Sequence, residues 1–144
     1  MSIQERVKRV EAGAFWHHLG MRVQDVGEGT ATVRLDIKDE LRQLYGYVHG
    51  GVLATLIDGA IGVAVQTTLA PGEATTTVDL QTMYSRPAKT GTLRAKAKLV
   101  RRGGTLIFGE CKIFDDADEL IAHGSATYIV LEHSRWDTTN SAPE

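Results

Sequence analysis

The chain has 144 residues, a length suited to one domain, and 42% of them are hydrophobic, enough for one core. Its formal net charge is −2, with acids and bases dispersed along the chain, which argues against the clustered basic face that nucleic acid requires. Cys111 is the single cysteine, so neither an internal disulfide nor a cysteine metal cluster can form. The first stretch, MSIQERVKRVEAGAF, is charged throughout and lacks the apolar core of a signal peptide; with the lone thiol this predicts a cytoplasmic protein. The longest apolar stretch, Val52 to Ala70, is interrupted by Asp58 and Gln66 and holds Gly59 and Gly62. No membrane span is expected there.

Ile3, Val7, Val10 and Ala14 recur at helical steps and predict a short amphipathic helix, with Phe15, Trp16, Leu19 and Met21 placed to pin it. Residues 1–19 form this N-terminal helical segment. Met21 to Ile37 predicts two strands: Val33, Leu35 and Ile37 alternate with Thr32, Arg34 and Asp36, and Gly27 and Gly29 supply the turn. A loop over 38–48 precedes HGGVLATLIDGAIGVAVQTTLAPGE, which predicts a helix buried nearly all round and stopped by Pro71-Gly72. Thr75 to Ser85 predicts a strand closed by Pro87. Leu93, Ala95, Ala97 and Leu99 alternate with Arg94, Lys96 and Lys98, and Gly103-Gly104 marks a hairpin to Leu106–Phe114. DDADE turns the chain into a last strand, Leu120 to Leu131, and residues 133–144 form a loose polar tail. The order predicts a single α+β domain over 1–144, with four long strands joined by short turns as an antiparallel sheet wrapped around a long central helix.

Asp58 is the residue out of place. It falls in LATLIDGAIGVAV, inside the helix that should be most buried, where a lone carboxylate costs several kcal/mol and helix propensity is poor. A structural role and a functional role fit Asp58 alone equally well. His49-Gly50-Gly51 at the helix start adds unpaired N–H groups and a partial positive charge, with glycines that let a ligand oxygen approach. Such a start suits a carbonyl oxygen that becomes an oxyanion. Gly50 and Asp58 are nevertheless separated by roughly 12 Å at about 1.5 Å per residue. Two antiparallel helices across a two-fold axis would close that gap, which predicts an obligate homodimer with composite sites.

The run from Tyr47 to Gly59, with HGG followed by Asp nine residues after the His, resembles the PaaI-like acyl-CoA thioesterases of the hotdog fold. The segment from Thr76 to Val130 is similar to the same family's sheet. The resemblance implies an acyl-CoA substrate and no cofactor beyond the coenzyme A that the substrate carries. It implies Asp58 as catalytic acid residue, base or nucleophile, and the Gly50 N–H of the opposite subunit as the group that polarises the thioester carbonyl. His49 stands at the motif histidine and Gln43 where many members carry an Asn. Thr77 falls where relatives place a hydroxyl that orients water, with Thr75 and Thr76 as alternatives. Gly51, Ser85-Arg86-Pro87 and Arg101-Arg102-Gly103-Gly104 match segments that line the coenzyme A groove; for the two arginines a solvated hairpin flank is the competing reading. The family likeness extends to a homotetramer built as a dimer of dimers.

Other chemistries fit less well. His17, His18, His49, His123 and His133 lack metal spacing, and no G-x-S-x-G is present. Cys111 in a strand reads as a packed small residue. Hydration or dehydration of an enoyl thioester, using His49 with Asp58, is the nearest alternative, and a non-catalytic acyl-CoA-binding module is the next.

Overall fold

The structure is a computed structural model that describes residues 1–132; the predicted polar tail, with His133, lies outside the described residues. Ser2 opens α1 (Ile3–Glu11) with a capping box: its hydroxyl accepts from the Glu5 N–H at 3.2 Å, and the Glu5 carboxylate accepts from the Ser2 N–H at 2.6 Å. The predicted single N-terminal helix is in fact two. Ala14 begins α2 (Ala14–Leu19), with Gly13 as its N-cap, and Gly20 in the left-handed region (φ 80°) ends it.

The strands are β1 (Arg22–Gly27), β2 (Thr30–Asp36), β3 (Glu73–Tyr84), β4 (Thr92–Arg102), β5 (Leu106–Phe114) and β6 (Leu120–Glu132). All pair antiparallel in one sheet, in the order β1-β2-β4-β5-β6-β3. This corrects one expectation. β3 and β4 are not hairpin neighbours; β3 pairs with β6 and forms a free edge, while β4 lies between β2 and β5. The chain between them crosses the end of the sheet, tied by Ser85 and Arg86 N–H groups to the Ile121 carbonyl and by the Val48 N–H to Ala88 O.

The long helix α3 (Gly50–Gln66) packs on the inner face of the sheet against β2 to β6. Alternation in the strands selects that face: Val33 and Leu35, Leu93 and Ala95, Ile107, Cys111 and Ile113, and Ala122 and Ala126 form one core with Leu53, Leu56, Ile57, Ala60, Ile61 and Ala64 of the helix. The helix ends at Gln66, short of Pro71. Thr67 and Thr68 turn their hydroxyls back onto the Ala64 and Val65 carbonyls at 2.7 and 2.8 Å. Arg6 of α1 then donates to the Gln66 carbonyl at 3.2 Å and to Leu69 O, and the Thr67 hydroxyl accepts from the Gly29 N–H at 2.8 Å.

Burial of α3 is less than the expected full circumference. Gly51, Thr55, Asp58 and Gly62, at steps of four, three and four, form a stripe that remains partly or wholly exposed in one chain. No helix among the described residues is long and apolar enough to cross a membrane.

The core claim is directly measurable by urea unfolding. Ile61 is fully buried, so Ile61→Ala is expected to cost about 2–5 kcal/mol. Val100 is 64% exposed, so Val100→Ala should stay within about 0.5 kcal/mol of the parent.

Candidate active site

Asp58 sits halfway along α3, on the flank that faces β3 and β6. Thr77 and Tyr128 are direct cross-strand partners, so both side chains project from the same face of the sheet toward the helix. The Thr77 hydroxyl donates to Asp58 Oδ1 at 2.9 Å, and the Tyr128 phenol lies 2.7 Å from the same oxygen. That phenol is also 2.8 Å from the Asp58 backbone carbonyl. Asp58 Oδ2 accepts no hydrogen bond among the described residues. The carboxylate is thus half-buried and held by one oxygen, rather than sealed and unpartnered as its place in the sequence suggested. Burial, followed by the charge of Asp58, pushes the Tyr128 phenol far above the ordinary tyrosine range, so it stays protonated and acts as a donor. A bulge between Thr77 and Asp79 interrupts the strand ladder and turns Val78 out.

The helix start forms a second group. His49 is the N-cap, and its Nδ1 accepts from the Gly51 N–H at 2.9 Å. The Gly51 N–H is therefore occupied by the cap, whereas the Gly50 N–H has no partner among the described residues. Tyr84, the last residue of β3, covers Gly50: a Cβ there would stand 3.3 Å from the ring, and the phenol donates to the Gly50 carbonyl at 2.8 Å. The 42–48 loop folds back beside this start. Arg42 bridges to Val48, the His49 N–H reaches Leu41 O at 2.8 Å, and the Gln43 N–H reaches Tyr47 O at 2.7 Å. The Gln43 side-chain oxygen accepts the Tyr45 N–H, which leaves its NH2 as the end that can donate outward.

Within one chain, then, Asp58 and Thr77 come together, as do His49, Gly50 and the Gln43 loop. The two groups remain eight residues apart on one helix. The Ser85-Arg86-Pro87 segment is exposed at the same end as Gly50, and Arg86 pairs loosely with Glu119 at 3.8 Å. The Arg101-Arg102-Gly103-Gly104 hairpin lies near the other end of β3. There Arg102 is bound to Glu73 at 2.7 Å, while Arg101 is exposed. Of the aromatics near the helix start and the N-terminal segment, Phe15 and Tyr45 are exposed and Trp16 packs on the core beside Gly59.

Tyr128 and Tyr84 are the site residues that sequence reasoning missed. A usable signal existed for Tyr128: strand alternation turns it inward, and a buried phenol needs a polar partner. No group of three or more His, Cys, Asp or Glu among the described residues could hold a metal ion.

Cys111 does not belong to this constellation. Burial pushes its thiol up to about 12, which leaves roughly one molecule in ten thousand as thiolate near pH 8. Iodoacetamide should therefore leave the native protein unmodified at about pH 8 and alkylate it fully in concentrated urea. Mass spectrometry of the intact chain reads both outcomes.

Comparison with known proteins fits this picture. The model of the thioesterase superfamily matches residues 45–122, more than half of the chain, and that span includes all of α3, β3, β4 and β5 and the start of β6. A Halobacterium salinarum protein named as an esterase is 39% identical over 105 residues, covering 69% of this chain and 69% of its own. The 1,4-dihydroxy-2-naphthoyl-CoA hydrolase of Listeria monocytogenes is 25% identical over 112 residues, covering 78% of this chain and 91% of its own. The solved structure of the PaaI protein of E. coli, from the phenylacetic acid degradation operon, superposes with a TM-score of 0.82 at 22% identity, over 89% of this chain and 91% of that one. That likeness carries the fold, a sheet wrapped around one helix, and the sequence matches carry the family. The chain belongs to the thioesterase superfamily and is a hotdog-fold thioester hydrolase.

Proposed function

We propose that the protein hydrolyses an acyl thioester of coenzyme A, with Asp58 as its catalytic carboxylate and a site shared between two subunits. The observation that carries this reading is the hydrogen-bonded Asp58, fixed through Oδ1 and open at Oδ2 on a helix whose own start leaves the Gly50 N–H unused. The coenzyme A thioester named as the substrate of the Listeria relative supports the substrate class. No cofactor is proposed beyond the coenzyme A moiety of the substrate.

The reaction needs an electrophile-binding donor near the base, and a single chain separates them by roughly 12 Å along α3. The free edge supplies the remedy. β3 is 12 residues long and carries Val78, Met83 and Tyr84 at 54%, 64% and 54% exposure, an edge that invites pairing with another strand. Antiparallel pairing of β3 with its copy, in a register that sets Tyr84 against the partner subunit's Thr77, carries each Gly50 toward the partner's Asp58. The stripe of Gly51, Thr55, Asp58 and Gly62 left open on α3 is covered in the same step. The dimer is thus part of the chemistry, and a pair of such dimers forms the homotetramer that the family likeness implies.

In this site the thioester carbonyl accepts from the Gly50 N–H, aided by the helix dipole and by the Gln43 amide. Water bonded to the Thr77 oxygen gives its proton to Asp58 of the other subunit as its oxygen attacks the carbonyl carbon. The C–S bond then breaks, sulfur leaves with the electron pair, and the proton on Asp58 passes to the thiolate. His49 shapes the helix start by capping it. Ser85, Arg86, Pro87, Arg101 and the Gly103-Gly104 turn flank the groove for the nucleotide end, with Arg102 held in place by Glu73.

A thiol-release screen over phenylacetyl, hydroxybenzoyl and fatty acyl thioesters of coenzyme A tests the reading. Asp58→Ala and Asp58→Asn are expected to lower kcat by about a hundredfold or more on the best substrate. Rates within a few-fold of the parent in either variant would remove Asp58 from the mechanism.

A further inference from the structure

Tyr128 lies 70 residues from Asp58 in the chain, yet its phenol reaches both the Asp58 carboxylate and the Asp58 carbonyl, at 2.7 and 2.8 Å. Room for that phenol comes from the helix itself. Gly62 is one turn after Asp58 on the same face, and a Cβ at Gly62 would stand 2.9 Å from the Tyr128 hydroxyl oxygen. A helix interior normally disfavours glycine relative to alanine, so the gap has a cost that the tyrosine contact accounts for. Tyr128 itself is 6% exposed and is fixed by ladder partners on both sides, Thr77 on β3 and Ile107 on β5. It has little freedom to do anything but hold its hydroxyl where it stands.

We propose that Tyr128 is a positioning residue for hydrolysis, admitted beside α3 by Gly62 and fixing Asp58 Oδ1 so that Oδ2 is presented to the attacking water. The proposal rests on the catalytic reading of Asp58. Thr77 also binds Oδ1, whereas Tyr128 approaches the helix beside the Asp58 carbonyl and reaches Oδ1 alone of the carboxylate oxygens. One donor at Oδ1 lets the carboxyl rotate about the Cβ–Cγ bond. Two donors, one of them also anchored to the main chain, select a single orientation. Burial and the neighbouring charge keep the phenol protonated, and its one hydrogen is shared between the Asp58 carboxylate and the Asp58 carbonyl.

Three variants test this. Tyr128→Phe keeps the ring and removes the hydroxyl; kcat should fall about ten- to hundredfold while KM changes less than about twofold. Gly62→Ala, which improves helix propensity, should lower kcat similarly by displacing the hydroxyl. Combining the two removes the clash, so the double variant should be no slower than Tyr128→Phe alone. Thermal melting of each variant confirms the fold. A Tyr128→Phe enzyme with parental kcat, or a double variant slowed by the product of the single effects, would overturn the proposal. If Asp58→Asn is inactive while Tyr128→Phe is unimpaired, only the positioning role fails. If Asp58→Asn is fully active, the catalytic reading fails first and the positioning role with it.

Discussion

A carboxylate on a helix rich in Leu, Ile, Val and Ala faces a desolvation cost of several kcal/mol unless its neighbours donate to it. Here the sheet provides the donors. Thr77 and Tyr128, paired across β3 and β6, point two hydroxyls at one oxygen of Asp58, and the ladder that holds them is the longest in the molecule. The register of that ladder therefore determines the site. A slip of β3 by one residue along β6 would turn the Thr77 hydroxyl to the outer face and leave Asp58 with Tyr128 alone, since β6 is held in register by β5 as well. The bulge after Thr77 shifts the alternation by one residue, so the inward set passes from Thr75 and Thr77 to Leu80 and Thr82.

The same architecture underlies the proposed two-subunit site. The helix start and the helix middle carry different groups, an unpaired N–H and a carboxylate, and a helix is too rigid to bring them together. Tyr84 ties the start to one end of β3 through the Gly50 carbonyl, and Thr77 ties the middle to the centre of the same strand. Any copy that pairs along β3 thus inherits both positions in a fixed relation. The exposed apolar side chains of that edge and the partly open small-residue stripe on α3 lie where such a copy would cover them.

Much of this was legible in the sequence, because periodicity is local. Alternation located β2 and β4, Gly103-Gly104 marked the hairpin into β5, and the apolar run marked α3. Asp58 stood out as a charge in that run, and His49-Gly50-Gly51 as a helix start. What escaped were events that depend on distant partners. The position of β3 at the edge follows from pairing with β6, which no local pattern announces. Tyr128 meets Asp58 from 70 residues away and Tyr84 meets Gly50 from 34 away. Arg102, legible only as a cation beside a turn, is spoken for by Glu73. The early end of α3 is a local event of a different kind: Thr67 and Thr68 bond back to the helix, and side-chain hydroxyls compete with apolar periodicity in a way that hydropathy does not register.

Subunit complementation tests the composite site most directly. Asp58→Asn removes the base, and Gly50→Pro removes the N–H at a helix position that accepts proline. Each homodimer should be inactive. After the two are unfolded together and refolded, half the dimers are mixed and each holds one intact site, so about a quarter of parental activity should return. Recovery of none, with mixed dimers demonstrated by mass spectrometry, would contradict a site that draws its base from one chain and its oxyanion donor from the other.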